Sequence, residues 1–410
     1  MLTDGAAAMY PLTSFEFSDR NGVMFGVNEH NKSIIMVNPF NAVKHSNANM
    51  VILGMSGAGK TFLLQLLAGR FRMIGIPIMI IASLKGWEFK NLAEAIGGQY
   101  FKISPSSSYT INIMEIRTKG AALHPDKSLL MDKLASLHTF FSLMFREEKP
   151  GGMTVLEKQM LDEKLMQVYR DKEITPDNAS LLKGKTKMPI LGDLYKLLAE
   201  DKATERLAAF LKPYVSGSKQ IFNGQTNVDL ENNYIVADIS ELTDETVSLG
   251  MLLVLDIFWD KIKANIMAKK LIFIDEAWRL IGAGGNRRTA EFVLEIWKTI
   301  RGMGGGAVAA SQDIEDFFNL ENGQYGKNIV SNSRLKVLMQ MEDNPARIVS
   351  GVFGLSEEET AKLTTFPRGH GLFYSGSNHV AINFMASPTE RDFITMERVG
   401  STQNEGRSVS

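Results

Sequence analysis

The chain has 410 residues, no cysteine and a formal net charge of −1. Missing thiols exclude disulfides, thiolate metal sites and cysteine nucleophiles, and the even charge leaves no bulk basic footprint for nucleic acid. With 44% hydrophobic and 22% charged residues, the composition is that of a globular chain with room for two or three domains.

The first residues, MLTDGAAAMYPLTS, lack a basic stretch followed by an apolar core, so they do not read as a signal peptide. No apolar run approaches the roughly 20 residues needed to span a bilayer. GVMFGVN (22–28) and SIIMV (33–37) flank the polar EHNK and predict a hairpin. NMVILG (49–54) predicts a buried strand, then a glycine-rich turn and the apolar helix KTFLLQLLAGRFRMIG. IPIMIIA (76–82) predicts the next strand, so the segment is a βαβ unit and predicts a parallel sheet. From 118 to 216 apolar residues recur at three- and four-residue spacing, which predicts helices and an all-α insertion. After 230 the βα rhythm resumes. Strands are expected at 233–240, 270–277, 306–311, 335–340, 371–376 and 380–385, with a helix over 244–268. The fold class expected is α/β, a mainly parallel core in two parts, 1–117 and 217–399, interrupted by a helical subdomain at 118–216. Residues 400–410 read as a disordered tail.

Residues 54–61 read Gly-Met-Ser-Gly-Ala-Gly-Lys-Thr, the G-x-x-x-x-G-K-[ST] pattern between a strand and a helix. Nucleotide phosphates are densely negative. Backbone N–H groups of Gly54, Ser56, Gly57, Ala58 and Gly59 would converge on them, glycines allowing the close approach. The helix starting near Lys60 adds the positive end of its dipole. Lys60 would reach the β- and γ-phosphates of ATP, and the Thr61 hydroxyl would ligate Mg²⁺. LIFIDEAW (271–278) is an apolar strand ending in two acids, the Walker B pattern. Asp275 would belong to the Mg²⁺ shell, and Glu276 would orient and deprotonate the attacking water. Gln312 ends the strand GAVAAS and would sit beside the γ-phosphate, because ligands lie at the carboxyl ends of parallel strands. Arg301, just before that strand, is the first candidate for an arginine finger supplied to a neighbouring subunit, followed by Arg368 and Arg334.

Together these segments resemble the C-terminal ATPase domain of the conjugation and type IV secretion ATPases of the VirB-four, TraC and TrbE group. These belong to the FtsK–HerA branch of RecA-like motors. The resemblance runs from FGVNEHNKSIIMVNPF to GHGLFYSGSNHVAINFMASPTE and includes GMSGAGKTFLLQLLAGR, LIFIDEAWRLI and PRGHGLFY. It implies a RecA-like core with an all-α insertion and oligomers, often hexamers, at the cytoplasmic base of a membrane-embedded secretion machine. ATP turnover would then drive pilus biogenesis and substrate transfer. Lys60, Thr61, Asp275, Glu276, Gln312 and Arg301 fall on the family's functional positions. Two features depart from the family. The acidic cluster common after the second core strand is reduced to Glu88. The large N-terminal domain usual in the family does not precede the core, which reads as a C-terminal fragment.

Two other functions share these motifs. A DNA-translocating motor would line its channel with cations such as Lys183, Lys185, Lys187, Arg287 and Arg288. An ATP-controlled assembly scaffold would need no catalytic base, and Glu276 argues against it.

Overall fold

The computed structural model describes residues 17–118, 128–148, 152–182, 187–217, 219–281, 287–318, 320–376 and 378–395. Eleven strands form one sheet: β1 (Val23–Asn28), β2 (Ile34–Val37), β3 (Met50–Leu53), β4 (Ile78–Ala82), β5 (Gln99–Lys102), β6 (Tyr234–Asp238), β7 (Lys270–Ile274), β8 (Gly305–Ser311), β9 (Leu335–Met339), β10 (His370–Ser375) and β11 (Asn378–Asn383). The spatial order is β2-β1-β11-β10-β9-β3-β8-β7-β4-β6-β5. From β9 to β5 every pairing is parallel, and from β2 to β9 every pairing is antiparallel. The expected hairpin is present, with Val23 opposite Val37.

Strands β3, β4, β6, β7 and β8 are buried along their whole length. Their sequences are continuous apolar runs because helices cover both faces, as parallel sheets require. One face packs against Leu63, Leu67 and Phe71 of the helix Lys60–Met73, joined by Phe25 and Phe373. On the other face the helices Leu129–Glu148, Val155–Arg170, Leu191–Ala199, Glu205–Ser216, Asp244–Lys263 and Arg287–Thr299 build one continuous apolar core with Val51, Met79, Ile235 and Ile272. The helical block thus shares its core with the sheet.

The helix expected over 244–268 stops at Lys263. Beyond it the Asn265 side chain accepts the N–H groups of Met267 and Ala268, a local alternative to helical bonding. Strand β5 carries little sequence signal, since QYFK is four residues long and follows Gly97-Gly98. The expected tail at 400–410 lies outside the described residues. So do Lys183 and Lys185, as does the Arg288 side chain.

Candidate nucleotide site

The carboxyl ends of β3, β7 and β8 lie side by side at the middle of the sheet, where β3 hands the chain to a strand two places beyond β8. This is the switch-point geometry at which open α/β sheets hold ligands. A cavity of 290 Å³ opens there.

The loop after β3 is anchored at both ends. Gly54 N–H donates to Ser311 O at 3.3 Å, and Met55 N–H donates to Gln340 O at 2.7 Å. A Cβ on Gly54 would meet Met339 Cβ at 2.8 Å, so only glycine fits. Gly57 and Gly59 have φ of 85° and 104°, the left-handed region closed to most side chains. These two turns bend the loop into a cradle that delivers the chain to the helix at Lys60. No acid occupies the first turn of that helix to compete for its N-terminus. Ser56, Gly57, Gly59, Lys60 and Thr61 line the cavity. Gly54 and Ala58 do not; Ala58 is buried, and its carbonyl accepts Gly369 N–H at 3.0 Å. Both brace the loop from behind.

Lys60 is 4% exposed and donates to Met55 O at 2.9 Å. Burial lowers its pKa, while Glu276 and Asp275 oppose that shift. Asp275 is 2% exposed, and its Oδ1 has no hydrogen-bond partner. Its pKa is pushed up to about 8, chiefly by burial and then by Glu276. Its backbone is fixed by Ser83, whose hydroxyl donates to Asp275 O at 2.9 Å. Glu276 is 4% exposed and has a φ of 54°, rare for a residue with a side chain. Two donors meet its Oε2: Trp278 Nε1–H at 2.9 Å and Gln312 N–H at 3.1 Å. Burial raises its pKa. Such backbone strain persists only where surrounding bonds over-determine it, and it clusters at functional sites.

Glu276, Asp275 and Gln312 all line the cavity together with Lys60 and Thr61. Glu88 lines it too, on the turn after β4, 3.9 Å from Lys85. Arg368 also lines this chain's own cavity, with its Cγ 3.7 Å from where a Cβ of Gly59 would stand. As a finger for a neighbouring subunit, Arg368 is therefore misplaced, because PRGHG folds back onto the loop of its own chain. Arg301 is exposed on the 3₁₀ turn Ile300–Met303 that precedes β8. It stands at the amino ends of the parallel strands, opposite the cavity. Arg334 precedes β9 at that same end, its guanidinium packed beside Gly376.

Sequence reasoning missed Trp278, which holds Glu276, and Gln65, Trp87, Ile394 and Thr395, which also line the cavity. Gln65 did carry a signal, as the lone polar residue in FLLQLLA. Ile394 and Thr395 arrive from the far end of the chain and carried none.

Residues 32–371 match the family described as the TraG P-loop domain. The chain belongs to this family. It is a P-loop ATPase domain of the conjugation and type IV secretion type. The curated protein TraC of Escherichia coli strain K12 is 21% identical over 312 residues, covering 73% of this chain and 33% of TraC. The chain thus spans about a third of the length of that relative. The structure of VirB4 of Thermoanaerobacter pseudethanolicus is similar at a TM-score of 0.78 and 26% identity, covering 92% of this chain and 99% of that one. The plasmid coupling protein TrwB in complex with ADP and Mg²⁺ is similar at a TM-score of 0.51 and 14% identity, covering 82% and 86%. That likeness is one of fold. Among the described residues of this TraG P-loop domain, no helix is long and apolar enough to cross a membrane.

Proposed function

We propose that the chain binds Mg-ATP in this cavity and hydrolyses it as the motor of a conjugation or type IV secretion machine. The observation that carries the reading is the convergence of the Lys60 ammonium, the Asp275 carboxyl with its orphaned Oδ1 and the strained Glu276 on one cavity.

The N–H groups of the Gly57–Gly59 turn and the helix N-terminus take the phosphates, and Lys60 moves its ammonium from Met55 O to them. The Thr61 hydroxyl and the Asp275 carboxylate would hold Mg²⁺. They are hard oxygen donors suited to that ion, and the orphaned Oδ1 of Asp275 fits the role. The ion would supply neutralising charge beside the phosphates. Glu276 orients a water and takes its proton. Trp278 and Gln312 both donate to Oε2, which leaves Oε1 for that water. A carboxylate with a raised pKa is a stronger base at neutral pH. Gln312, tied to Glu276 through its backbone, links the state of the γ-phosphate end to β8.

Arg301 cannot serve its own cavity from the opposite end of the sheet, so in this reading it serves a second copy. Self-association then completes the site. The division into a two-part core and a helical insertion at 118–216 belongs to the same proposal, as do secretion-machine partners at the cytoplasmic face of the inner membrane. Of the cations suited to a DNA channel, Lys187 is exposed and Arg287 pairs with Glu291 at 2.9 Å. That observation does not favour a DNA channel over the machine reading.

The test is steady-state ATP hydrolysis across a protein-concentration series, with Lys60→Ala beside the unaltered chain. Turnover that grows per molecule with concentration and falls by 100-fold or more in the variant is expected, on the order of a lost charge clamp on phosphate. Equal turnover in both proteins would sink the reading. Stimulation by single-stranded DNA would move weight to a DNA translocase.

A further inference from the structure

Walker residues read phosphates, and nothing above reads the base. The cavity has two ends. Glu276 and Gln312 mark the γ-phosphate end, tied to each other by the Gln312 N–H that donates to Glu276 Oε2. A nucleotide whose phosphates lie on Gly57–Thr61 must extend its base the other way, past Thr61 along the helix. Phe62 and Gln65 lie on that helix, and Arg368, Ile394 and Thr395 line the same cavity. Ile394 closes the helix Pro388–Ile394, which packs against the helix Lys60–Met73.

Gln65 is anomalous in this wall. It is 2% exposed, its neighbours Leu63, Leu64, Leu66 and Leu67 are apolar core, and its Oε1 is buried with no hydrogen-bond partner. A buried carbonyl without a donor is costly and persists where something supplies the donor. Phe62 and Ile394 offer apolar surface on which a planar ring can lie.

We infer that Gln65 is the base-reading residue of this site, its amide accepting the exocyclic amino group of adenine, with Phe62, Ile394 and Thr395 forming the base pocket. An amide matches adenine because it can accept from the amino group and donate to a neighbouring ring nitrogen. A purine with oxygen at the same position presents an acceptor to Oε1 and pairs only if the buried amide turns over. This inference rests on the proposed nucleotide site and deepens it to a choice of base.

The experiment compares equilibrium binding of Mg-ATP and Mg-ITP, which differ in the amino group and the adjoining ring nitrogen. Both are measured by displacement of a fluorescent ATP analogue from the full chain in a Glu276→Gln background, so that neither is consumed. The chain with Gln65 intact is expected to prefer ATP by about tenfold or more, the lower end of the discrimination a bidentate amide–base pair gives. Gln65→Met, of similar volume, brings the ratio close to one and leaves inorganic tripolyphosphate affinity unchanged. A ratio near one with Gln65 intact overturns the inference, and so does a preference that survives in Gln65→Met. Should Gln65→Met lose tripolyphosphate as well, the ratio measured with Gln65 intact decides alone. Lys60→Ala separates the two layers. If it leaves ATP affinity untouched, the nucleotide site itself is wrong. If it weakens ATP while Gln65→Met changes nothing, only the base reading fails.

Discussion

Asp275 and Glu276 stand side by side in a buried cavity, each with a raised pKa. Two carboxyls held this way cost the fold stability that the site's chemistry requires. The sign follows from Asp275. Its folded pKa of about 8 lies above the ordinary 3.8, so the folded state binds more protons. Stability then falls as pH rises from about 4 to about 8. Asp275→Asn removes this cost. Its melting temperature in the absence of nucleotide should exceed that of the unaltered chain, by more at pH 8 than at pH 5, while turnover is lost. A variant that melts lower at pH 8 would show that Asp275 is a structural partner rather than a strained functional acid. At this scale the sequence was informative where spacing encodes chemistry. Gly-x-x-x-x-Gly-Lys-Thr and the strand-end Asp-Glu were legible. The positive φ of Glu276 and its Trp278 bond were not, because neither leaves a pattern in a single chain.

The elements around the site are held by a few long-range polar ties. Arg70, near the end of the phosphate-loop helix, bonds Glu390 through Nε at 2.7 Å and Nη2 at 2.9 Å. It also donates to Met24 O and, at 2.8 Å, to Met385 O. One side chain thus joins β1 and the helix Pro388–Ile394 to the helix that carries Lys60. The Arg70 bond holds the Glu390 carboxyl at about 2, well below its ordinary 4.5. A depressed carboxylate pKa contributes stability above about 4.5, lost as pH falls toward 2. Glu390→Gln should therefore lower stability by about 2 kcal/mol at pH 7, with the gap closing below pH 4 in thermal melts. An unchanged gap at pH 3 would contradict the tie. At the opposite end of the sheet Asn49 is fully buried. It donates to Trp297 O at 2.8 Å and Asn332 O at 2.9 Å, and accepts Ala307 N–H at 3.0 Å. Every bond spans distant chain segments, so Asn49→Ala should cost about 2–4 kcal/mol in denaturant unfolding. A loss under 1 kcal/mol would mean that water replaces the hub. Buried strands were readable from apolar runs. These ties were not, since an arginine or asparagine in sequence does not announce a partner 46 to 320 residues away.

Across the whole molecule, the parallel core places the nucleotide cavity at one end of the strands and Arg301 at the other. A single chain cannot close that distance. A second copy can, if its exposed Arg301 turn meets the cavity mouth. Arg301→Ala should abolish the rise of specific activity with protein concentration and leave ATP affinity unchanged. Normal concentration dependence in that variant would remove Arg301 from the site. The α/β core and the helical run were legible because hydrophobic period changes from continuous runs to three- and four-residue spacing near residue 118. The antiparallel extension through β10, β11, β1 and β2 was less so. Pairing a strand near residue 28 with one near 383 depends on contacts that only the folded chain reveals.

Glu276 is the proposed base of the ATP-hydrolysing site, and Glu276→Gln removes that base while keeping its size. Binding of Mg-ATP and release of phosphate are measured on the same sample. ATP is expected to bind at undiminished affinity, with turnover reduced by 100-fold or more. Undiminished turnover in that variant would contradict the assignment of Glu276 and place the base elsewhere in the cavity.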